Sequence, residues 1–219
     1  MKKRKAIVIA GSRGVGKSIA GMLKLNKFEV IATSSKEVDT SEIKDVENFI
    51  DRNKLTDVLV LNTGGPPPKK LQDITKKDWI RYFNQLFLSF ALLLQNIKVK
   101  KNGYVFLISS YYIKEPNKNM VLSNAFRTAF SAVLKSYGQE NLKNNITTIN
   151  LALGPIYTDR LKSMNPNKTK KQIGENLPLG RVGDPSEIAD IVESIIQKEV
   201  KYLNCQTLFV DGGISNTLF

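Results

Sequence analysis

The amino-acid sequence predicts an α/β fold with a doubly wound parallel sheet. Short apolar runs, typical of buried strands, alternate with segments whose apolar residues recur every three or four positions, as in helices. The first run, Lys5–Ala10, stops at a glycine and is followed by helical periodicity over Val15–Leu25. Because such strand–helix units repeat along 219 residues without a low-complexity linker, we expect one domain over residues 1–219.

The remaining elements follow in the same alternation. The segment Thr75–Lys98 is unusually apolar for a helix, which indicates that the sheet and a partner subunit cover most of its sides. The last helix begins at Asp184-Pro185-Ser186-Glu187, where a cap, a first-turn proline and an early acid coincide. We predict strands at Phe28–Thr33, Asp57–Asn62, Tyr104–Ser109, Ile146–Ala152 and Gln206–Val210, and helices at Ser41–Arg52, Thr75–Lys98, Ser123–Leu142 and 184–198.

One connection is too short for the usual pattern. Only Ser34–Val38 separate the second strand from the point where a third strand should end. A parallel crossover needs about a dozen residues or more. The crossover helix between the second and third strands must therefore be missing, with the third strand reduced to a stub or lost.

Composition excludes several classes of protein. The formal net charge is +13, but the lysines are scattered and no zinc finger, basic helix or RNA-binding aromatic signature is present. The longest nearly apolar stretch, Leu86–Leu94, is too short to span a bilayer. The single cysteine, Cys205, cannot form an internal disulfide, which favours a reducing compartment. We expect a cytoplasmic protein that binds neither nucleic acid nor a membrane and holds no metal.

A glycine-rich turn and the end of the second strand predict a dinucleotide. Glycines in Gly11-Ser12-Arg13-Gly14-Val15-Gly16 permit positive φ and let backbone amides approach a pyrophosphate, although a tight turn without a ligand is the alternative. NAD sites place a carboxylate after the second strand. Here Ser34-Ser35-Lys36 precede the first acid, Glu37, and with Arg13 they suit a 2′-phosphate. NADP is therefore favoured over NAD.

Ordered segments across residues 5 to 213 carry a family resemblance. The first strand and turn look like TGxxxGxG with Ala10 in place of the first glycine. The other matching segments are Asp39-Thr40, Leu61-Asn62-Thr63-Gly64, Gly154-Pro155-Ile156-Tyr157-Thr158-Asp159, Leu179–Pro185 and Val210–Gly213. On these segments the chain resembles the short-chain dehydrogenase/reductases, most closely the β-ketoacyl-(acyl carrier protein) reductase-like branch. The resemblance implies a Rossmann fold and cofactor contacts from Asp39, Asn62-Thr63-Gly64, Pro155, Ile156 and Thr158 as well as from the glycine-rich turn.

The resemblance also implies an active site of asparagine, serine, tyrosine and lysine. Asn84 and Ser110 match the first two, but the YxxxK positions hold Ser123 and Arg127. A serine hydroxyl is a far weaker acid than tyrosine, and arginine cannot relay a proton, although Arg127 can hold the nicotinamide ribose. Losing the general acid costs a factor of about 10²–10⁴.

Further expectations concern the surroundings of this site. If the strand before Ser110 continues, Tyr112 shares its face and is a candidate replacement acid, whereas lining the pocket is the alternative for Tyr111 and Tyr112. The segment at about 161–177 is expected to form a basic lid that attracts anionic substrates, or an ordinary solvated loop.

Two functions remain open from the sequence. The first is an NADP-dependent oxidoreductase acting on a small carbonyl or alcohol, and the second is a catalytically silent NADP-binding sensor or interaction protein. A homodimer or homotetramer through the Thr75–Lys98 and Ser123–Leu142 helices is expected in either case.

Overall fold

The computed structural model describes residues 3–218 and contains a six-stranded, wholly parallel sheet with helices on both faces. The strand order is β2-β1-β3-β4-β5-β6. The strands are β1 (Lys5–Val8), β2 (Glu29–Ala32), β3 (Leu55–Leu61), β4 (Lys98–Ser110), β5 (Thr147–Leu153) and β6 (Gln206–Val210). The predicted fold class is confirmed.

The helices fall into two layers, one on each face of the sheet. One apolar core lies between the sheet and the α1 and α8 helices, and the other lies between the sheet and α2, α4 and α5. The helices are α1 (Gly14–Leu25), α2 (Ile43–Arg52), α3 (Lys76–Phe83), α4 (Ser89–Asn96), α5 (Val121–Glu140), α6 (Asp159–Met164), α7 (Lys170–Gly174) and α8 (Pro185–Gln197). Within the described residues, no helix combines the length and the apolar content needed to cross a membrane.

The segment predicted as one helix over Thr75–Lys98 differs from that prediction in two ways. A π-helical turn, Asn84–Leu88, separates α3 from α4, and the helix ends at Asn96. Lys98 already belongs to β4, where it pairs with Leu55. The strand predicted to begin at Tyr104 therefore begins six residues earlier, because Val99 is buried in the second core and pairs with Thr56 of β3.

The connection after β2 confirms that the crossover helix is missing. Among the described residues, 33–42 contain neither helix nor strand, so the third strand is lost altogether. The chain turns at Ser34, whose carbonyl accepts bonds from the backbone of Glu37 and Val38, and then enters α2. The next strand, β3, pairs with β1 on the side opposite β2. As a result β2 is an edge of the sheet.

Candidate active site

The turn after β1 forms a cradle at the start of α1. Gly14 has φ of +55°, and a Cβ on it would lie 3.2 Å from Thr158 Cγ2, so the turn faces Thr158 across a narrow gap. Arg13, the N-cap residue of α1, is extended, and its side chain makes no capping bond. The first amides of α1 are consequently left for an external acceptor. This cradle fits the pyrophosphate of a dinucleotide.

The same turn is tied to the end of β3. The Asn62 Nδ2 donates to the Ala10 carbonyl at 3.1 Å, and a Cβ on Gly16 would meet that carbonyl oxygen at 2.4 Å. Ala10 has φ of +49°, in the left-handed region that favours glycine. Its amide donates to Thr33 Oγ1 at 3.0 Å. Of the other predicted turn residues, Gly11 and Val15 are buried and Ser12 is exposed.

The turn after β2 holds Glu37, the first acid of this segment. The amide and hydroxyl of Ser34 donate to the Glu37 carboxylate at 2.7 and 2.8 Å. These bonds lower the pKa of Glu37 and keep its charge beside the predicted 2′-phosphate position. Ser35, Lys36 and Arg13 are exposed.

Asp39 is engaged with its own loop. The Asp39 Oδ1 accepts from the amide and hydroxyl of Ser41 at 2.9 and 2.8 Å, which forms a turn before α2. Its predicted contact with the cofactor stays a prediction.

Two neighbouring amide side chains point to different parts of the cleft. Asn84 Nδ2 donates to the Ser41 carbonyl at 3.4 Å, toward the loop after β2. Gln85 Nε2 donates to the Gly64 carbonyl at 2.8 Å and to Thr63 Oγ1 at 3.4 Å. The predicted catalytic role of Asn84 therefore stays untested, while Gln85 is the amide that contacts the turn after β3. Sequence reasoning missed Gln85, because successive helical residues differ by about 100° in direction and only the packing reveals which one faces the site.

The strand before the predicted catalytic serine stops at that residue. Tyr111–Ile113 form a 3₁₀ turn, and Ser110 Oγ accepts from the Tyr112 amide at 3.3 Å. The expectation that Tyr112 shares a strand face with Ser110 is wrong, because the backbone leaves the extended conformation there. The rings of Tyr111 and Tyr112 lie 4.2 Å apart, and burial raises the pKa of Tyr111 well above its usual range. Tyr111 is consequently a poor proton donor.

Ser123 and Arg127 lie one turn apart in α5, and both are buried. Arg127 Nη1 donates to the Ile108 carbonyl of β4 at 2.8 Å. Burial, followed by the charge of Arg160, lowers the pKa of Arg127 to about 10, so the guanidinium stays charged at neutral pH. In residues 3–218, Ser123 Oγ makes no hydrogen bond. Among the same residues, Asn124 Oδ1 is the only fully buried side-chain polar atom without a hydrogen-bond partner. The Ser123 hydroxyl oxygen is therefore not fully buried, although the residue as a whole is.

The segment after β5 closes the other side of the cleft. The Pro155 carbonyl accepts from the Gly183 amide at 2.9 Å, and the Gly183 carbonyl accepts from the Tyr157 amide at 2.8 Å, which fixes Ile156 between them. Thr158 caps α6.

Arg160, in the first turn of α6, reaches across the cleft to the loop after β3. Its Nη1 donates to the Gly65 carbonyl at 2.7 Å and its Nη2 to the Pro66 carbonyl at 2.6 Å. Sequence reasoning missed this residue. The available signal was a cation directly after Thr158-Asp159 in a segment already assigned to the nicotinamide side.

The expected lid carries two short helices, the end of α6 and α7. Lys162 and Lys170 lie over the Tyr157 ring at 5.0 and 5.1 Å, and Lys170 pairs with Asp184 at 2.6 Å. The segment is thus attached to the rim of the cleft through its lysines. Among the residues described, no cluster of three or more metal-ligating side chains occurs.

Comparison with known proteins matches most of the chain to one family. The family model described as enoyl-(acyl carrier protein) reductase matches residues 37–215. The 3-oxoacyl-[acyl-carrier-protein] reductase of Chlamydia pneumoniae is 26% identical, over 97% of this chain and 97% of that protein. The NADPH-dependent reductase BacG of Bacillus subtilis is 25% identical, over 97% of this chain and 98% of that protein.

A solved structure agrees with this match at the level of the fold. A small-chain dehydrogenase in complex with NADPH superposes with a TM-score of 0.84 at 23% identity, covering 97% of this chain and 99% of that chain. Because the family model spans most of the sequence and the relatives that match nearly the whole chain are reductases, the protein belongs to the short-chain dehydrogenase/reductase family of oxidoreductases.

Proposed function

We propose that the protein is an NADP-dependent oxidoreductase that interconverts a small carbonyl compound and its alcohol. The observation that carries this proposal is the cradle between Gly14 and Thr158, which opens at the same edge of the sheet as Ser110, Ser123 and Arg127. Parallel α/β sheets bind their ligands beyond the carboxyl ends of the strands. The bound cofactor supplies or accepts the hydride.

The chain's own residues divide the binding of the cofactor among them. The amides of Gly14–Gly16 bind the pyrophosphate, and Arg13, Ser35 and Lys36 bind the 2′-phosphate. Asn62-Thr63-Gly64 and Pro155, Ile156 and Thr158 line the nicotinamide half. Two relatives whose names include NADPH, one curated and one solved, support NADP as the cofactor.

Proton transfer and charge stabilisation fall to different groups. The hydroxyls of Ser110 and Ser123 orient the carbonyl and pass the proton. The Arg127 guanidinium holds a fixed positive charge where the alkoxide develops, and it stabilises that charge without giving up a proton. The slow step is therefore delivery of the proton, because no low-pKa acid stands in the tyrosine position.

A second function is favoured by the same two residues. Ser123 and Arg127 remove the family's proton relay, and the raised pKa of Tyr111 removes the nearest replacement. A catalytically silent NADP-binding protein, acting as a sensor or an interaction module, fits those substitutions. In either function the partner subunit is a second copy of the chain.

Titration of NADPH and NADH by calorimetry tests the proposal, followed by consumption of the tighter-binding nucleotide with a panel of small aldehydes and ketones. The Gly14→Val variant fills the cradle toward Thr158, and the matched Gly21→Ala variant adds a Cβ to the same helix in open space. We expect micromolar NADPH binding that Gly14→Val abolishes and Gly21→Ala retains. Binding with turnover supports the reductase, binding without turnover supports the silent protein, and absence of binding overturns both.

A further inference from the structure

Two arginine side chains meet at the cleft beside the loop that follows β3. Arg127 comes from α5 and Arg160 from α6. A Cβ on Gly65 would lie 3.1 Å from Arg160 Nη2 and 3.6 Å from Arg127 Nη2. Both charged groups therefore border the same point of the loop, and each adds to the positive potential at the other.

Within residues 3–218, neither guanidinium has a carboxylate partner. The ion pairs in the described part of the chain involve other cations, and none includes Arg127 or Arg160. Burial lowers the pKa of both groups, and Arg160 lowers that of Arg127 further. Two like charges brought together without a counter-charge form a site that an anion stabilises.

The donors of this pair are fixed in place and partly free. Arg160 is held by the Gly65 and Pro66 carbonyls, so its position is set by a proline-containing loop. Arg127 has a single hydrogen bond among the described residues, from Nη1 to the Ile108 carbonyl. Within residues 3–218, Asn124 Oδ1 is the only fully buried side-chain polar atom that lacks a hydrogen-bond partner. The remaining Arg127 donors are therefore not fully buried. A guanidinium carries five donors, so each arginine keeps donors for a ligand in the cleft.

We infer that Arg127 and Arg160 together bind a carboxylate of the substrate, which makes the substrate class a small oxo acid. The inference rests on the proposed reductase function. The planar fork of a guanidinium matches a carboxylate in two parallel hydrogen bonds. Ser123 lies one helical turn before Arg127, so one small molecule spans from the hydroxyl to the arginine pair.

The proposed reaction reduces the oxo acid to a hydroxy acid. The carbonyl carbon of the oxo acid gains a hydride from NADPH, its oxygen gains a proton, and a hydroxy acid and NADP⁺ are formed. The carboxylate is unchanged and acts only as the handle. An acyl thioester carries no charge beside its carbonyl, so it would leave both guanidiniums without a counter-charge.

Dead-end complexes measure this binding without turnover. In the presence of NADP⁺, an oxidised carbonyl compound cannot react, so its Kd follows from calorimetry. The probes are acetoacetate and pyruvate, their methyl esters, and dihydroxyacetone phosphate. The variants are Arg160→Gln and Arg160→Lys, with Lys101→Gln as a control that removes one exposed charge near the start of β4, at the opposite end of that strand from Ser110.

We expect the wild type to bind at least one acid roughly 10- to 100-fold more tightly than its ester, the range for hydrogen bonds to a charged group. Arg160→Gln should abolish that preference, Arg160→Lys should retain part of it, and Lys101→Gln should leave it unchanged. Equal affinity for acid and ester in the wild type overturns the inference, and so does an unchanged preference in Arg160→Gln. Tighter binding of the phosphate than of either acid overturns the carboxylate assignment.

The same measurements separate this inference from the proposed function. If the acids bind preferentially but NADPH is not consumed with any of them, the arginine pair is an anion site in a silent protein. If NADPH is consumed with esters and acids alike, the reductase stands and the carboxylate assignment fails. If Arg160→Gln does not fold, the acid-to-ester ratio of the wild type still decides the question.

Discussion

Ser123 occupies a buried position on α5, one turn before the guanidinium of Arg127. A hydroxyl of this type donates a hydrogen bond readily and a proton poorly. Arg127 contributes charge but no proton transfer, because its pKa of about 10 leaves it protonated at neutral pH. At the scale of single residues, the site that we propose therefore favours binding and polarisation over acid catalysis.

Restoring a proton relay should raise the rate. We expect the double variant Ser123→Tyr/Arg127→Lys to increase the single-turnover rate of NADPH oxidation about 100-fold, within the range that a general acid contributes. The single variant Arg127→Lys is the control, since it supplies the ammonium group without the tyrosine hydroxyl. A double variant that folds, binds NADPH and gains no rate would show that another group already delivers the proton.

The Glu37 carboxylate should weaken NADP binding. Hydrogen bonds from Ser34 lower the pKa of the Glu37 carboxyl group, so the carboxylate remains charged at neutral pH next to the proposed 2′-phosphate position. We expect Glu37→Gln to tighten NADPH binding about 5-fold, because it removes an exposed like charge from beside the 2′-phosphate, and to leave NADH binding unchanged. Calorimetry with both nucleotides measures this, and an equal change for the two would contradict it.

Ala10 stores backbone strain in the turn after β1. Its φ of +49° costs an alanine roughly 1–2 kcal/mol more than a glycine, part of which the greater freedom of glycine in the unfolded chain offsets. Ala10→Gly should raise the free energy of unfolding by about 0.5–1 kcal/mol in urea denaturation. Ala20→Gly, in the interior of α1, is the opposite control and should lower it. A loss of stability in Ala10→Gly would mean that the methyl group packs favourably.

At the scale of elements, the start of α8 is held by a charged clamp. Arg181 forms two bonds of 2.8 Å with the Glu187 carboxylate, which also accepts from the Asp184 amide at 2.8 Å. The Arg181 bonds, followed by the Asp184 amide, lower the pKa of Glu187 to about 2. The clamp connects the first turn of α8 to the loop that bonds Pro155 and Tyr157, and thus to the nicotinamide side of the cleft.

This clamp should make stability depend on acid pH. A carboxylate with a lowered folded-state pKa stabilises the fold fully above its unfolded value, and the stabilisation is lost as the pH falls from about 4.5 to about 2. We expect Glu187→Gln to cost about 1 kcal/mol at neutral pH, since the pair is partly exposed. Its stability should also fall less than that of the wild type across this window. Glu47→Gln, in exposed α2 surface, should behave as the wild type in the same melting series.

Local sequence patterns predict most of the helices and strands correctly. Where the prediction differs from the structure, long-range packing determines the observed element. The β1 turn and its glycines follow from a few adjacent residues, as does the lost crossover, which chain length alone requires. The end of the Thr75–Lys98 segment did not follow, because Ile97 and Val99 suit a helix and a strand equally. Pairing of Val99 with Thr56 in β3 selects the strand.

The candidate site was predictable in its backbone segments and less so in its side chains. The 3₁₀ turn at Tyr111–Ile113 and the rotation that separates Asn84 from Gln85 depend on packing that periodicity does not encode. The meeting of Arg160 with Gly65 joins residues 95 positions apart, so no local pattern predicts it. The hydrogen bonds between Ser34 and the Glu37 carboxylate join residues close in sequence. They depend on a turn that forms because the third strand is absent, and the residue types alone do not predict that turn.

At the scale of the whole molecule, an aromatic face remains on α3 and α5. Trp79 and Phe83 contact Phe126 at centroid distances of 5.7 and 5.8 Å, and Ile80 and Phe83 are exposed. Exposed aromatic surface of this kind is typical of subunit interfaces. It lies on the helices that we expected to join two copies of the chain.

Introducing charge into this face should separate the subunits. We expect the wild type to sediment as a dimer or tetramer and the Ile80→Glu/Phe83→Glu variant to sediment as a smaller species. Leu25→Glu is the control, because Leu25 is 86% exposed at the end of α1, away from this face. A monomeric wild type at micromolar concentration would contradict the expectation, as would an unchanged mass in the double variant.

The lost third strand also bears on how quickly the cofactor comes and goes. With β2 as the edge of the sheet and only a turn at Ser34–Glu37 beyond it, the adenine end of the cleft has one wall fewer. The protein therefore has less contact area with the adenine end of the cofactor. Nucleotide exchange should be fast, and dissociation of the oxidised cofactor should not limit turnover. The catalytic cycle would then be timed by its chemistry, and because delivery of the proton is the proposed slow step, turnover should be slower in D₂O than in H₂O.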